Sequence, residues 1–412
     1  MTPARIIRAL TGRPPPPSRQ EIVDLATREP GALTPLFKQA AGRRRPLPGL
    51  DDEALALVPE GDLAGLADAA VEALRRGRHP EHSPAAELVG GLSLQARHTL
   101  RPHLAELWNL RPTRASHAYA WPWRGAEPGD DIDFLVSRLA SEDPADRMRA
   151  WECLLESRTE PGWEAALPAF GEAVPDDWRT REMIGSVGIE PTDGGYRRLF
   201  MPTTTHVEFP RGFLVLPKGS GIESPTWHLD APTVGSGRFG GVADSACAVC
   251  DEPLHRLLAL DDVPEEVAPG IEVVTCLSCL GWSVPVMYFR HGPEGGVQPV
   301  VPQGTDAARR DPADPLPEVT VTFKRTPARW QLQDWGHSNG RQNLHRLGGE
   351  PTWIQSPDYP ACLDCGQAMT FFLQLDSLDI EGGPWWLWGS GGAMYAFWCD
   401  RCRLTATFWQ CT

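Results

Sequence analysis

The chain has 412 residues, 41% hydrophobic and 23% charged, which suits two or three soluble domains better than one core. Against 39 Lys and Arg stand 54 Asp and Glu, a formal net charge of −15. A field of that sign repels phosphate and disfavours generic binding to nucleic acid or to anionic membranes. The basic residues are 36 Arg and only 3 Lys, beside 41 Pro and 40 Gly, so compositional bias makes any single Arg weak evidence for an anion site. Ten cysteines and 16 tryptophans are the unusual entries.

The first residues, MTPARIIRALTGRPPPP, contain no apolar stretch long enough for a secretory signal, and no segment reads as a membrane span. A cytoplasmic location is therefore expected. Thiols stay reduced there, and paired cysteines are read as metal ligands rather than disulfides.

Residues 1–175 form the first expected unit, a helical domain. Leu63, Leu66, Ala67, Ala70, Val71 and Leu74 follow the spacing of a one-faced helix, as do Ile132, Leu135, Val136 and Leu139 behind the acidic turn at Asp130, Asp131 and Asp133. A further helix starts with Asp143 as N-cap and Pro144 at the first helical position, and buries Met148, Trp151, Leu154 and Leu155. This pair resembles one unit of a HEAT-type helical repeat. No second unit has the same punctuation, so an irregular helical domain is the competing reading.

From Tyr196 the pattern turns to strands: Arg197 to Phe200, His206 to Phe209 and Gly212 to Leu216 are short β-rich runs bounded by Pro and Gly. The long uncharged runs Val273 to Phe289 and Gly382 to Cys399 also read as strands broken by turns. Residues 176–291 make one β-rich unit and 318–412 another. Between them, 292–317 read as a linker or surface loop, because ten of the 26 residues from Gly292 to Pro317 are Gly or Pro.

The two β-rich units match each other in order. Cys247-x-x-Cys250 precedes Leu254, Leu258, Leu260 and Asp261. At a constant offset of 115, Cys362-x-x-Cys365 precedes Met369, Leu373, Leu375 and Asp376. Arg238-Phe239-Gly240-Gly241 answers Arg346-Leu347-Gly348-Gly349, Trp227-x-Leu229 answers Trp330-x-Leu332, and Cys276-x-x-Cys279 answers Cys399-x-x-Cys402. The expected architecture is α+β and multi-domain: a helical half followed by a tandemly duplicated, zinc-binding β-rich half arranged about a pseudo-two-fold axis.

Cys247, Cys250, Cys276 and Cys279 form one candidate ligand set, and Cys362, Cys365, Cys399 and Cys402 the other. Two C-x-x-C loops brought together offer four sulfurs at tetrahedral corners, the arrangement Zn2+ accepts. Four thiolates leave no open coordination position, so two structural zinc ions are expected. The spacing also permits ligands exchanged between the copies. A redox C-x-x-C would need a lone pair at a helix N-terminus, which is not the pattern here. Cys153 and Cys411 read as unliganded thiols.

No HExxH, G-x-S-x-G or Walker motif is present. Leu216 to Gly221 carries a Lys before its glycines and reads as a turn. His228, His337 and His345, with Asp261 and Asp376, are the residues that could cluster at the pseudo-dyad. Structural hydrogen bonding and turn capping are the simpler roles for them. Trp386 and Trp388, in the run with Trp385, read as a core wall.

The motifs of the second copy resemble a known family. Leu347-Gly348-Gly349-x-Pro351-x-Trp353-Ile354-Gln355, Cys362-x-x-Cys365-Gly366, Leu373-Gln374-Leu375-Asp376, Gly392-Ala393-Met394-Tyr395-x-Phe397 and Cys399-x-x-Cys402 look like the bacterial YwqG-like domain of unknown function. They are more distantly similar to the eukaryotic programmed-cell-death-2-like proteins. The resemblance covers about Arg346 to Gln410, weakens over Trp227 to Tyr288, and leaves the helical half outside. It implies a fold, an immunity or accessory role through some bacterial relatives, and a chaperone role through the eukaryotic ones. The leading expectation is a non-enzymatic, zinc-stabilised protein-binding module whose acidic surface suits a basic protein partner. The alternatives are a zinc-ribbon nucleic-acid binder and an enzyme with its site at the pseudo-dyad.

Overall fold

The computed structural model describes residues 18–412 apart from 48, 78–82, 113–117, 173, 217–220, 265, 267–268, 294 and 302–311. The 217–220 part of the Leu216 to Gly221 turn, and the side chain of Asp261, lie outside the described residues. The fold is mixed α+β. Among the described residues, helices predominate from Arg19 to Ser186 and strands from Ile189 onward.

The helix Leu63–Arg76 buries Leu63, Leu66, Ala67, Ala70, Val71 and Leu74, the stripe read from spacing. In Asp130–Leu139 only Ile132 and Leu135 are buried, and Val136 is 41% exposed. The helix Pro144–Glu156 has Asp143 as its N-cap, accepting from the Ala145 N–H at 2.9 Å. It buries more of its circumference than expected: Cys153, placed off the apolar stripe, is fully buried, and burial raises its thiol pKa well above the usual value.

The strands are β1 Ile189–Thr192, β2 Gly195–Arg198, β3 Thr205–Glu208, β4 Thr233–Phe239, β5 Val242–Ala246, β6 Pro253–Asp262, β7 Glu272–Thr275, β8 Met287–His291, β9 Val297–Val300, β10 Val319–Arg325, β11 Arg346–Leu347, β12 Thr370–Asp376, β13 Leu378–Asp379, β14 Trp385–Trp386, β15 Ala393–Cys399 and β16 Leu404–Gln410. Two short hairpins, β1-β2 and β13-β14, stand apart. The rest form one 12-stranded sheet in the order β5-β6-β4-β10-β3-β11-β12-β15-β16-β8-β9, with β7 also on β6. The sheet curls until Ser245 beside one end donates a hydrogen bond to the carbonyl of Val297 at the other. Val297–Val300, read from composition as part of a linker, is thus a paired strand. Conversely, the Gly212 to Leu216 run supplies only an isolated bridge, Leu214 to Ile380.

The duplication is visible in the register. Arg238 pairs with Ala259 and Phe239 with Leu258; Arg346 pairs with Gln374 and Leu347 with Leu373. Between β6 and β7, His255 faces Thr275 and Leu258 faces Val273, with a bulge between Arg256 and Leu258. Between β12 and β15, Thr370 faces Trp398 and Leu373 faces Ala396, with the bulge between Phe371 and Leu373. Even the irregularity is repeated.

The halves nevertheless do not sit side by side. β10 pairs with the Gly-Gly strand β4 of the first copy, and β3 pairs with the Gly-Gly strand β11 of the second. β3 and β10 then pair with each other, Glu208 opposite Thr322. Each copy therefore lends its inner strand to the other. The glycine pair that ends each receiving strand is needed for this. Gly240 and Gly348 have φ of +81° and +58°, and a Cβ there would stand 2.1 Å from the carbonyl oxygens of Pro317 and Thr203, both on the incoming segment.

One face of the sheet packs on itself around Phe239, Leu258, Phe323, Leu373 and Met394. The other, with Phe371, Tyr395, Phe397 and Phe408, packs against Trp151, Ile184 and Val187 of the helical half in a continuous core. All seven residues of β15 are buried, because successive side chains face these two cores in turn. Trp388 is 2% exposed in the first core, the wall role expected of it, whereas Trp385 is 69% exposed. Trp386 is partly buried and meets Trp388 edge-on at 5.6 Å.

A buried ion chain ties the halves together. Glu156 accepts from Arg124 at 2.8 Å and from Arg158 at 3.2 Å, and Arg158 also bonds Glu350 beyond the second Gly-Gly turn. Burial alone would raise the Glu156 carboxyl, but Arg124 and Arg158 outweigh it and draw it down to about 2. Its stabilising effect is present above the carboxyl's unfolded pKa and is lost as pH falls through about 2. Glu156→Gln should cost roughly 3–5 kcal/mol at neutral pH, since two guanidinium groups lose their shared anion, with a smaller difference from wild type in acid. Gly348→Ala should cost about 2 kcal/mol or more from positive φ and the backbone clash. Denaturant melts check both.

Candidate metal centres

Each metal centre grows from two tight loops at strand ends. In the first loop of each copy the leading cysteine donates its N–H across the turn, Cys247 to Glu252 O at 2.7 Å and Cys362 to Gln367 O at 2.8 Å. The residue after the second cysteine returns an N–H to the first, Asp251 to Cys247 O and Gly366 to Cys362 O, both at 2.9 Å. That residue sits in the left-handed region, φ +63° at Asp251 and +71° at Gly366, where Gly is free and Asp is tolerated. These reciprocal bonds turn both Sγ atoms of the C-x-x-C to one side.

The second pair arrives from the neighbouring strand, at the end of β7 in one copy and of β15 in the other. Cys247, Cys250, Cys276 and Cys279 form one group and Cys362, Cys365, Cys399 and Cys402 the other, with every sulfur within 4.8 Å of the others in its group. The ligand sets are therefore drawn from within one copy each, not exchanged. Cys250 and Cys276 Sγ lie 3.6 Å apart, and Cys365 and Cys399 Sγ 3.7 Å. A tetrahedron with bonds of ~2.3 Å has edges of about 3.8 Å, so the spacing fits a four-thiolate ion. The first group is wholly buried; in the second, Cys365 and Cys402 are partly exposed.

The acid–base chemistry points the same way. A hydrogen bond from Cys276 draws Cys247 down to about 5, and the same contact raises Cys276, while burial pushes Cys279 up to about 12. In the second group the Gln367 N–H holds Cys365 at about 7, and burial pushes Cys399 up to about 12. Four neighbouring thiols cannot all ionise unaided. A bound cation removes that conflict.

Contacts from elsewhere brace each centre. His255 accepts from Leu277 N–H at 3.3 Å and contacts the Ala313 carbonyl at 3.0 Å, so chain just before β10 packs on the first centre. Arg290 of β8 forks onto Asp364 in the second centre's first loop, at 2.8 and 3.0 Å. The first copy thus braces the second copy's candidate loop, and the connecting segment braces the first's, contacts that the C-x-x-C spacing did not signal.

Of the other candidates, only His345 and Asp376 are seen to meet, through the Asp376 backbone N–H, among the described residues. His228 faces Glu208 and Glu223 at 3.8 and 3.6 Å, and His337 bonds Asp334 at 2.6 Å. His345 is buried, accepts from the Asp376 N–H at 3.1 Å and packs on Phe209. Asp376 accepts from the Ser377 N–H at 2.8 Å, a turn-capping bond. Cys153 and Cys411 stand outside both sulfur groups. The residues missed in the sequence are arginines: 97, 124, 158 and 198 converge where the helical half meets the sheet. In a chain whose basic residues are nearly all Arg, composition could not single them out.

Among known proteins, an uncharacterised protein, YpfL, of Salmonella typhimurium is 43% identical over 67 residues. That stretch is 16% of this chain and 15% of the relative's length. No family model matches the chain, and no solved structure matches it. Among the described residues, no helix is long and apolar enough to cross a membrane.

Both groups should take up a divalent metal with thiolate charge-transfer absorption. Cobalt(II) titration of the metal-stripped chain should saturate at about two equivalents, a number set by the two closed sites. Cys276→Ser or Cys399→Ser should bind roughly one, while Cys153→Ser and Cys411→Ser keep the full complement. Because binding displaces thiol protons, uptake should weaken as pH falls.

Proposed function

We propose that the protein is a non-enzymatic, zinc-stabilised protein-binding module of the chaperone, immunity or accessory type, with a YwqG-like C-terminal half. The observation that carries the reading is the closed form of both sulfur groups. Four thiolates per ion leave no position for water or substrate, so metal bound there holds the fold rather than performs chemistry. Zinc is the metal of choice, since it favours tetrahedral thiolate sites and carries no redox chemistry of its own.

A basic protein is the partner the surface suits. Residues 201–412 carry 14 basic and 24 acidic side chains. Eight thiolates with two divalent ions add −8 + 4 = −4 to that half. Trp282, three residues past Cys279, and Trp385 are 55% and 69% exposed. Exposed tryptophans are the type of anchor that dominates protein interfaces.

Protein purified without added metal should contain about two zinc ions per chain, and a value near zero would sink the reading. Capture from cytosol should retain one partner in stoichiometric amount. The double variant W282A/W385A should lose that partner while keeping its zinc. Nanomolar, salt-sensitive binding of DNA or RNA would instead favour the nucleic-acid alternative.

A further inference from the structure

A cavity of about 490 Å³ opens where the helical half meets segments of both copies. Its size falls in the range of small-molecule sites. Its charge is opposite to that of the chain: Arg97, Arg124, Arg158 and Arg198 line it, against Glu127 and Glu350. Arg124 and Arg158 are committed to Glu156 and Glu350 in the buried ion chain described above, and Glu127 is bonded by Arg101 outside the cavity.

Arg97 and Arg198 are not so committed. Half-buried Arg97 has a single polar contact, Gln331 at 3.4 Å, and no carboxylate within ion-pair distance among the described residues. Arg198 reaches only the exposed Glu160, at 3.6 Å, and its guanidinium is fixed over the rings of Trp163 and Phe200 at 5.5 Å each. The Nε atoms of Arg198 and Arg158 are buried without a hydrogen-bond partner. Two preset guanidinium forks, backed by two more, offer more donors than one carboxylate can accept, and they suit the several oxygens of a phosphate.

We propose that this cavity binds a small phosphate-bearing molecule, with Arg97 and Arg198 as the primary contacts and the organic portion against Phe200, Pro202 and Leu332. The site is independent of the metal centres and of the protein-binding reading. Its position gives it a second consequence. A ligand held by Arg97 from the helical half and Arg198 from the β1-β2 hairpin bridges the two halves, so it should raise the melting temperature.

Calorimetric titration of the full zinc-loaded chain with inorganic phosphate, pyrophosphate and AMP tests this. Pyrophosphate and AMP should bind more tightly than inorganic phosphate, weaken with added salt, and raise the melting temperature. R97A and R198A should each weaken pyrophosphate binding about tenfold or more, with zinc content unchanged. Exposed Arg28→Ala should have no effect. R198A keeps the test decisive if R97A fails to fold, because the Arg198 side chain is one-third exposed. Absence of binding up to about 10 mM, binding indifferent to R198A, or citrate bound more tightly than pyrophosphate would each overturn the proposal.

Discussion

The structure depends on the exchange of β3 and β10 across the pseudo-dyad. Neither copy has a complete sheet of its own, because the strand that completes each Gly-Gly edge comes from the other. An exposed sheet edge is a row of unsatisfied backbone donors and acceptors, and the exchange removes two such edges at once. The four glycines follow from it. Each Gly-Gly turn meets the incoming chain backbone to backbone: the Gly241 N–H bonds the Leu316 carbonyl and the Gly349 N–H bonds the Met201 carbonyl, each at 2.8 Å.

The metal centres stand at the outer ends of the strands so paired. The pairing of β6 with β7 and of β12 with β15 delivers the second cysteine pair to the first. Arg290 then links the second centre to a strand of the first copy, and Ala313 ties the first centre to the segment between the copies.

The helical half is held by apolar packing and by charge. Its tryptophan-rich helices cover the aromatic face of the second copy, whereas the first copy has Arg256, paired with Glu272, at the position of Phe371. The asymmetry explains why the second copy keeps the richer motif. Trp353 lies 5.0 Å from Tyr395, and Phe397 stacks on Phe408 at 5.4 Å, in a layer that must fit an opposing helical surface. The ion chain through Glu156 crosses the same junction and leaves the uncommitted guanidinium groups facing the cavity beside it.

Much of this was legible in the residues alone. The stripe from Leu63 to Leu74, the Asp143 cap and the grouping of eight cysteines into two sets of four are local or evenly spaced features, and local chemistry decides them. The repeat was legible too, and the structure bears it out where Leu258 and Leu373, 115 apart, pair with Phe239 and Leu347 of the two Gly-Gly strands. The burial of Cys153 and the strand at Val297–Val300 were not, since both depend on a neighbour far away in sequence. The sequence by itself determined that the chain repeats and that its thiols gather. Only the tertiary structure decided that the repeats exchange strands, that each sulfur set stays within its own copy, and that four unremarkable arginines meet in one cavity. Those outcomes are set by long-range backbone pairing and packing, for which spacing along the chain carries no signal.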